Sequence, residues 1–176
     1  MSIWRYVVWM VFSCGLTACA VSVSPLDTLT QAQPDSTRVR AMHRLNLASA
    51  YYEQNQNEVA QQEARAALLI DPQLAQAYSL LGLIHQRAQA PVLAQQSFEQ
   101  ALLLAAQSLG APSDMAAIQH NYGWFLCEQK RFAEAQTQFD LALSQPHYAQ
   151  AEKTSKAIAF CKARATALLS MRDRNH

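Results

Sequence analysis

The stretch Asn121-Tyr122-Gly123-Trp124-Phe125-Leu126-Cys127 decides how the rest of the chain is read. It lies in a helical hairpin that runs to about Ser144. With Gly123 set as the eighth position of a 34-residue unit, Ala135, Phe139 and Ala142 fall on positions 20, 24 and 27. Small residues at the first, second and fourth of these places let two antiparallel helices approach closely. The large one fills the groove between this hairpin and its neighbour.

The same register recurs upstream. In residues 75–108, Tyr78, Leu81, Gly82, Ala94, Phe98 and Ala101 take the corresponding positions, and Pro91 opens the second helix, where a missing N–H costs nothing. In residues 41–74, Leu47, Ala48, Tyr51, Ala60 and Ala67 follow suit and Pro72 closes the unit, with Ala64 and Asn57 standing where aromatics are usual. The third unit, 116–149, is displaced by an insertion around Gly110-Ala111-Pro112-Ser113-Asp114, with Ser113 or Asp114 as the expected helix cap. An amphipathic stretch, 151–170, resembles the first helix of a fourth unit and is expected to act as a lid over the third. Residues 171–176 are expected to fray. A 34-residue helix–turn–helix period is that of the tetratricopeptide repeat (TPR). The predicted fold is an all-α TPR solenoid over 38–170, three hairpins plus a C-terminal capping helix.

Composition agrees. The chain has 176 residues, 51% of them hydrophobic, with only four glycines and six prolines, which suits one helical domain with a core. The formal net charge is +1, and removal of residues 1–18, whose only charge is Arg5, brings it near zero. That excludes a polyanion-binding footprint, so nucleic acid is not an expected partner.

Residues 1–18 read as an export signal: Arg5, the apolar run Tyr6–Phe12, then small residues. Leu16-Thr17-Ala18-Cys19 matches the lipobox of bacterial lipoproteins, which implies cleavage before Cys19 and its acylation. Several acyl chains anchor a protein stably. Ala20 follows the cysteine, not the aspartate associated with inner-membrane retention, so the expected location is the outer membrane, periplasmic face. Residues 19–37, rich in Ser, Thr, Gln, Asp and Pro, read as a tether that reaches at most about 60 Å when extended.

Four cysteines are present; Cys14 leaves with the signal and Cys19 takes lipid, leaving Cys127 and Cys161. An even pair in an oxidising periplasm favours a disulfide. Two other readings stay open: small buried thiols, or one reactive thiol. No Gly-rich phosphate loop, Gly-x-Ser-x-Gly or His-Glu-x-x-His motif occurs. The five histidines are widely spaced, so neither a metal nor a cofactor is expected, and neither is an enzymatic activity nor a small-molecule substrate. A TPR array instead offers a concave groove lined by the first helix of each hairpin. Its predicted lining includes Tyr52, Leu83, Gln86, Arg87, His120, Trp124 and Phe160, an apolar trough edged by Arg87 and His120 and suited to a partner segment. The competing reading is that the aromatics pack between repeats. Asn46 and Asn121 are expected to hydrogen-bond backbone between repeats.

The stretch 121–127 resembles the Asn-Tyr-Gly-x-Phe-Leu-Cys signature of the PilF/PilW family of type IV pilus biogenesis lipoproteins. Pro146-His147-Tyr148 resembles that family's Pro-x-Tyr, and Cys161 falls where the family has its second cysteine. The resemblance implies an outer-membrane lipoprotein with a Cys127–Cys161 disulfide. It also implies a pilotin-like role, helping the pilus secretin to localise, multimerise or stay assembled. Family members usually continue through about six repeats, so this chain reads as a shortened member. The alternatives are a scaffold for another envelope machine, such as a Tad-type pilus or outer-membrane assembly, and an adaptor for a periplasmic protease or peptidoglycan hydrolase.

Overall fold

A computed structural model of the chain describes residues 34–108 and 112–174, and among these every regular element is an α-helix. The stretches read as export signal and as tether as far as residue 33, Cys19 included, lie outside the described residues. Three hairpins come first: α1 (Pro34–Glu53) with α2 (Asn57–Ile70), α3 (Ala75–Arg87) with α4 (Pro91–Gln107), and α5 (Pro112–Glu128) with α6 (Phe132–Leu143). The last helix is α7 (Ala151–Asp173). The first helices of successive units pack on one another as α1–α3–α5–α7, while α2, α4 and α6 each touch their own partner and the helix that follows. This is the two-layer stacking of a solenoid.

Why the hairpins close so tightly is visible at two glycines. A methyl group added to Gly82 would sit 2.7 Å from the Phe98 ring, and one added to Gly123 would sit 2.8 Å from Phe139. Both rings are fully buried. Phe98 then reaches across to the next repeat, its centroid 5.5 Å from Tyr122 and 5.6 Å from Phe125. One side chain thus joins its own hairpin to its neighbour. The first repeat solves the same problem differently: Ala48 stands at the glycine position and Ala64 at the phenylalanine position, both wholly buried. The remaining crossing positions, Ala60, Ala67, Ala94, Ala101, Ala135 and Ala142, are all completely inaccessible.

Each hairpin turns by the same device. Asn55, Gln89 and Lys130 occupy the left-handed region at φ 62°, 56° and 63°. After each, the next N–H reaches back five residues, as in Gln56 N–H to Tyr51 O (2.9 Å), Ala90 N–H to His85 O (2.9 Å) and Arg131 N–H to Leu126 O (2.9 Å). This is the Schellman closure, which satisfies carbonyls orphaned at a helix end. Glycine is the usual residue there; none of these three turns has one.

Three boundaries differ from the sequence reading. Helix α1 starts at Pro34, inside the stretch read as tether to Thr37; proline is well tolerated in a first turn, and Arg38 pairs with Asp71 at 3.0 Å. Helix α5 starts at Pro112, so Asp114 lies within its first turn and accepts a hydrogen bond from Gln76 Nε2 (2.7 Å) rather than serving as cap. Helix α7 runs through Met171, Arg172 and Asp173, expected to fray, with Arg172 favourably placed in its last turn.

Replacing Gly123 by alanine is expected to cost about 1–3 kcal/mol despite alanine's better helix propensity, because the methyl meets a buried ring. The double variant Gly123→Ala/Phe139→Leu is expected to recover part of that loss. Urea unfolding of the three proteins checks both statements.

Candidate functional site

The concave side of the helix stack opens into a trough of about 510 Å³. Tyr52 from the last turn of α1, Leu83 from α3, and His120 and Trp124 from α5 line one side. Lys153, Lys156, Ala157 and Phe160 of α7 supply the other. The four α7 residues are spaced i, i+3, i+4, i+7, which sets them on one face of that helix.

Each wall is held from behind. The Arg87 guanidinium lies 3.6 Å from the centre of the Tyr52 ring and donates to the Tyr52 carbonyl (2.6 Å) and to Asn57 Oδ1 (3.2 Å). Asn57, unexpected at its position, therefore serves as an acceptor fixing Arg87. Burial raises the Tyr52 phenol above its usual pKa, with Arg87 pulling the other way, so it stays protonated at neutral pH. Trp124 stacks on Phe160 at 5.3 Å. Phe160 remains 48% exposed, with the Arg164 guanidinium 5.7 Å from its ring.

Helix α7 is fastened to α5 by a disulfide between Cys127 and Cys161, whose Cα atoms are 5.8 Å apart. The separation of 34 residues is one repeat period, so the two cysteines occupy the same register position in successive first helices. Closing such a loop stabilises by about 3–4 kcal/mol in the chain-entropy picture. A buried polar cluster completes the joint: His120 Nδ1 lies 2.8 Å from Thr154 Oγ1, which lies 3.1 Å from the Tyr148 hydroxyl. The resemblance-bearing Tyr148 is thus a strut between α5 and α7.

Of the predicted lining, Tyr52, Leu83, His120, Trp124 and Phe160 come together around the trough. Gln86 and Arg87 are not among its lining: Gln86 Nε2 donates to Glu128 (2.6 Å) and Arg87 is committed to Tyr52. His120 is no polar edge either. It is 5% exposed, and burial, assisted by the charge of Lys153, pushes its pKa down to about 4, leaving it neutral. Asn121 donates to the Ser79 hydroxyl (3.2 Å) rather than to backbone. Trp124 does both things set against each other above, packing on a neighbouring helix while presenting a face to the trough. Sequence reasoning missed Lys153 and Lys156, although their spacing from Phe160 was a usable signal. Another, smaller depression of about 220 Å³ adjoins the first, sharing Leu83 and Asn121 and bringing in Asn46, Ser49, Gln76 and Asp114. Among the described residues no cluster of three or more His, Cys, Asp or Glu is placed to hold a metal, and no helix is long and apolar enough to cross a membrane.

A stack of paired helices with these small–large crossings is a tetratricopeptide-repeat domain, and residues 73–145 match the tetratricopeptide-repeat family. The chain is similar to the type IV pilus assembly protein PilF of Pseudomonas aeruginosa, with 33% identity over 121 residues, 69% of this chain and 44% of that protein. An uncharacterised protein of Haemophilus influenzae is 31% identical over 121 residues, 69% of this chain and 64% of the other. The chain therefore spans less than two thirds of the length of either curated relative, 44% and 64%. Solved structures agree: Pseudomonas aeruginosa PilF superposes with a TM-score of 0.64 at 26% identity, over 75% of this chain and 55% of that one. PilW, described as a widely conserved type IV pilus biogenesis factor, superposes with a TM-score of 0.63 at 30% identity, over 72% and 55%.

The buried His120 makes a pH prediction. Its folded pKa of about 4 lies below the value near 6.5 of a free imidazole, so the unfolded chain takes up its proton first as pH falls. Stability is expected to drop between about pH 6.5 and pH 4, by up to about 3 kcal/mol from this group, and the contribution then levels off. His85, also lowered by burial, adds a contribution of the same sign. Denaturation midpoints across that range, compared with those of His120→Gln, are expected to show a shallower slope in the variant.

Proposed function

We propose that the protein is a non-enzymatic scaffold for type IV pilus biogenesis, anchored by lipid at Cys19 to the periplasmic face of the outer membrane, with a pilotin-like action on the secretin. The observation that carries this reading is the open aromatic trough of about 510 Å³ in a chain similar to PilF. Its lining combines partly exposed rings with a few polar groups, the composition of a surface that grips a segment of another protein. Lipid supplies location, the trough supplies recognition, and the Cys127–Cys161 link keeps the two walls at a fixed distance. Similarity to PilF and PilW supports a partner in the pilus machinery.

The test is the assembly state of the secretin in outer membranes of a deletion strain, read on unboiled gels. The multimer is expected to be lost on deletion and restored by the wild-type gene but not by Cys19→Ala. Restoration by Trp124→Ala is expected to be partial at best. An intact, correctly located multimer in the deletion strain overturns the proposal.

A further inference from the structure

The geometry points to a specific occupant of the trough: a short apolar protein segment carrying carboxylates that meet Lys153 and Lys156, bound with its acidic end toward α7. This rests on the trough being the partner site and goes further, by naming the chemistry of the partner.

The charge arrangement carries the inference. Lys153 and Lys156 lie one turn apart on the trough face of α7, and no carboxylate is part of the lining. Arg87 behind Tyr52 and Arg164 beside Phe160 add charge of the same sign at the two aromatic edges. Of the nearby acids, Glu152 pairs with Lys156 at 2.6 Å within α7. Glu128, held only by the neutral Gln86 amide at 2.6 Å, acts on Tyr52 and sets a negative charge against Arg87 there, which leaves the lysine face of α7 as the acid-seeking end. The Lys156–Glu152 pair is 76% and 83% exposed, so its net worth is small and Lys156 can exchange it for a better-placed partner. Beside apolar walls a carboxylate is attracted more strongly than in open water, and like charge is excluded.

The adjoining depression has the opposite character. Asp114 lies there, accepting from Gln76 Nε2 at 2.7 Å. A carboxylate there would be repelled by Asp114. The groove is therefore polar along its length, acid-seeking at α7 and acid-repelling where Asp114 lies. Four first helices spaced about 9–10 Å apart span about 30 Å, which an extended segment of roughly nine residues covers.

A pool of random dodecapeptides displayed on phage, selected on the full-length protein and counter-selected on Trp124→Ala, reads this preference. Enriched peptides are expected to carry Asp or Glu beside an aromatic or leucine. A chosen one is expected to lose about fivefold in affinity to Lys153→Ala/Lys156→Ala. Lys153→Glu/Lys156→Glu is expected to turn the selection toward Lys and Arg. Trp124-dependent peptides with no acidic enrichment, or indifferent to both lysine variants, overturn the acidic occupant while leaving the trough as a binding site. Failure to obtain any Trp124-dependent peptide overturns the trough along with it.

Discussion

A phenylalanine ring against a bare glycine backbone is the contact on which the rest of the structure depends. Gly82–Phe98 and Gly123–Phe139 each bring the two helices of a hairpin to a separation that no methyl group would permit. Because Phe98 also lies against Tyr122 and Phe125, the same ring sets the distance from one repeat to the next. Spacing along the stack is what determines the width of the concave face. The shape of the trough is therefore decided in the core, by glycines next in sequence to its lining residues Leu83 and Trp124.

The α7 wall of the trough needs more than packing. Helix α7 lacks, among the described residues, a second helix folded back on it, and it is held instead by the Cys127–Cys161 disulfide and the His120–Thr154–Tyr148 cluster. Both fastenings join α5 to α7, and both lie just behind Trp124 and Phe160. A covalent link and a neutral, buried imidazole together keep the two stacked rings in register. Only a neutral imidazole suits this place, since a charge would be desolvated there.

Much of the architecture was legible because the repeat is a spacing rule with a steric cause. Alanines at positions 60, 67, 94, 101, 135 and 142 and glycines at 82 and 123 are required wherever two backbones cross closely, and their 34-residue recurrence exposes the hairpins. The N-terminal start of α1 was not legible, since Asp35, Ser36 and Thr37 look alike in a tether and in a first turn. Nor was the fate of single polar side chains. Gln86, Arg87 and His120 share the register of groove residues, yet Glu128, Tyr52 and Thr154 claim them, and such partners are far away in sequence. Lys153 and Lys156 were legible only through Phe160, which lies one and two turns along the same face of α7.

On the function proposed above, a lipid-anchored repeat stack meets its partner through one concave surface, and crosslinking in living cells tests that most directly. A photoreactive phenylalanine analogue is placed in turn at Trp124, inside the trough, and at Leu103, exposed on the outer layer. The account predicts a covalent adduct containing the secretin from position 124 and none from position 103. An adduct from position 103 with none from position 124 would contradict it, and would move the partner to the convex face.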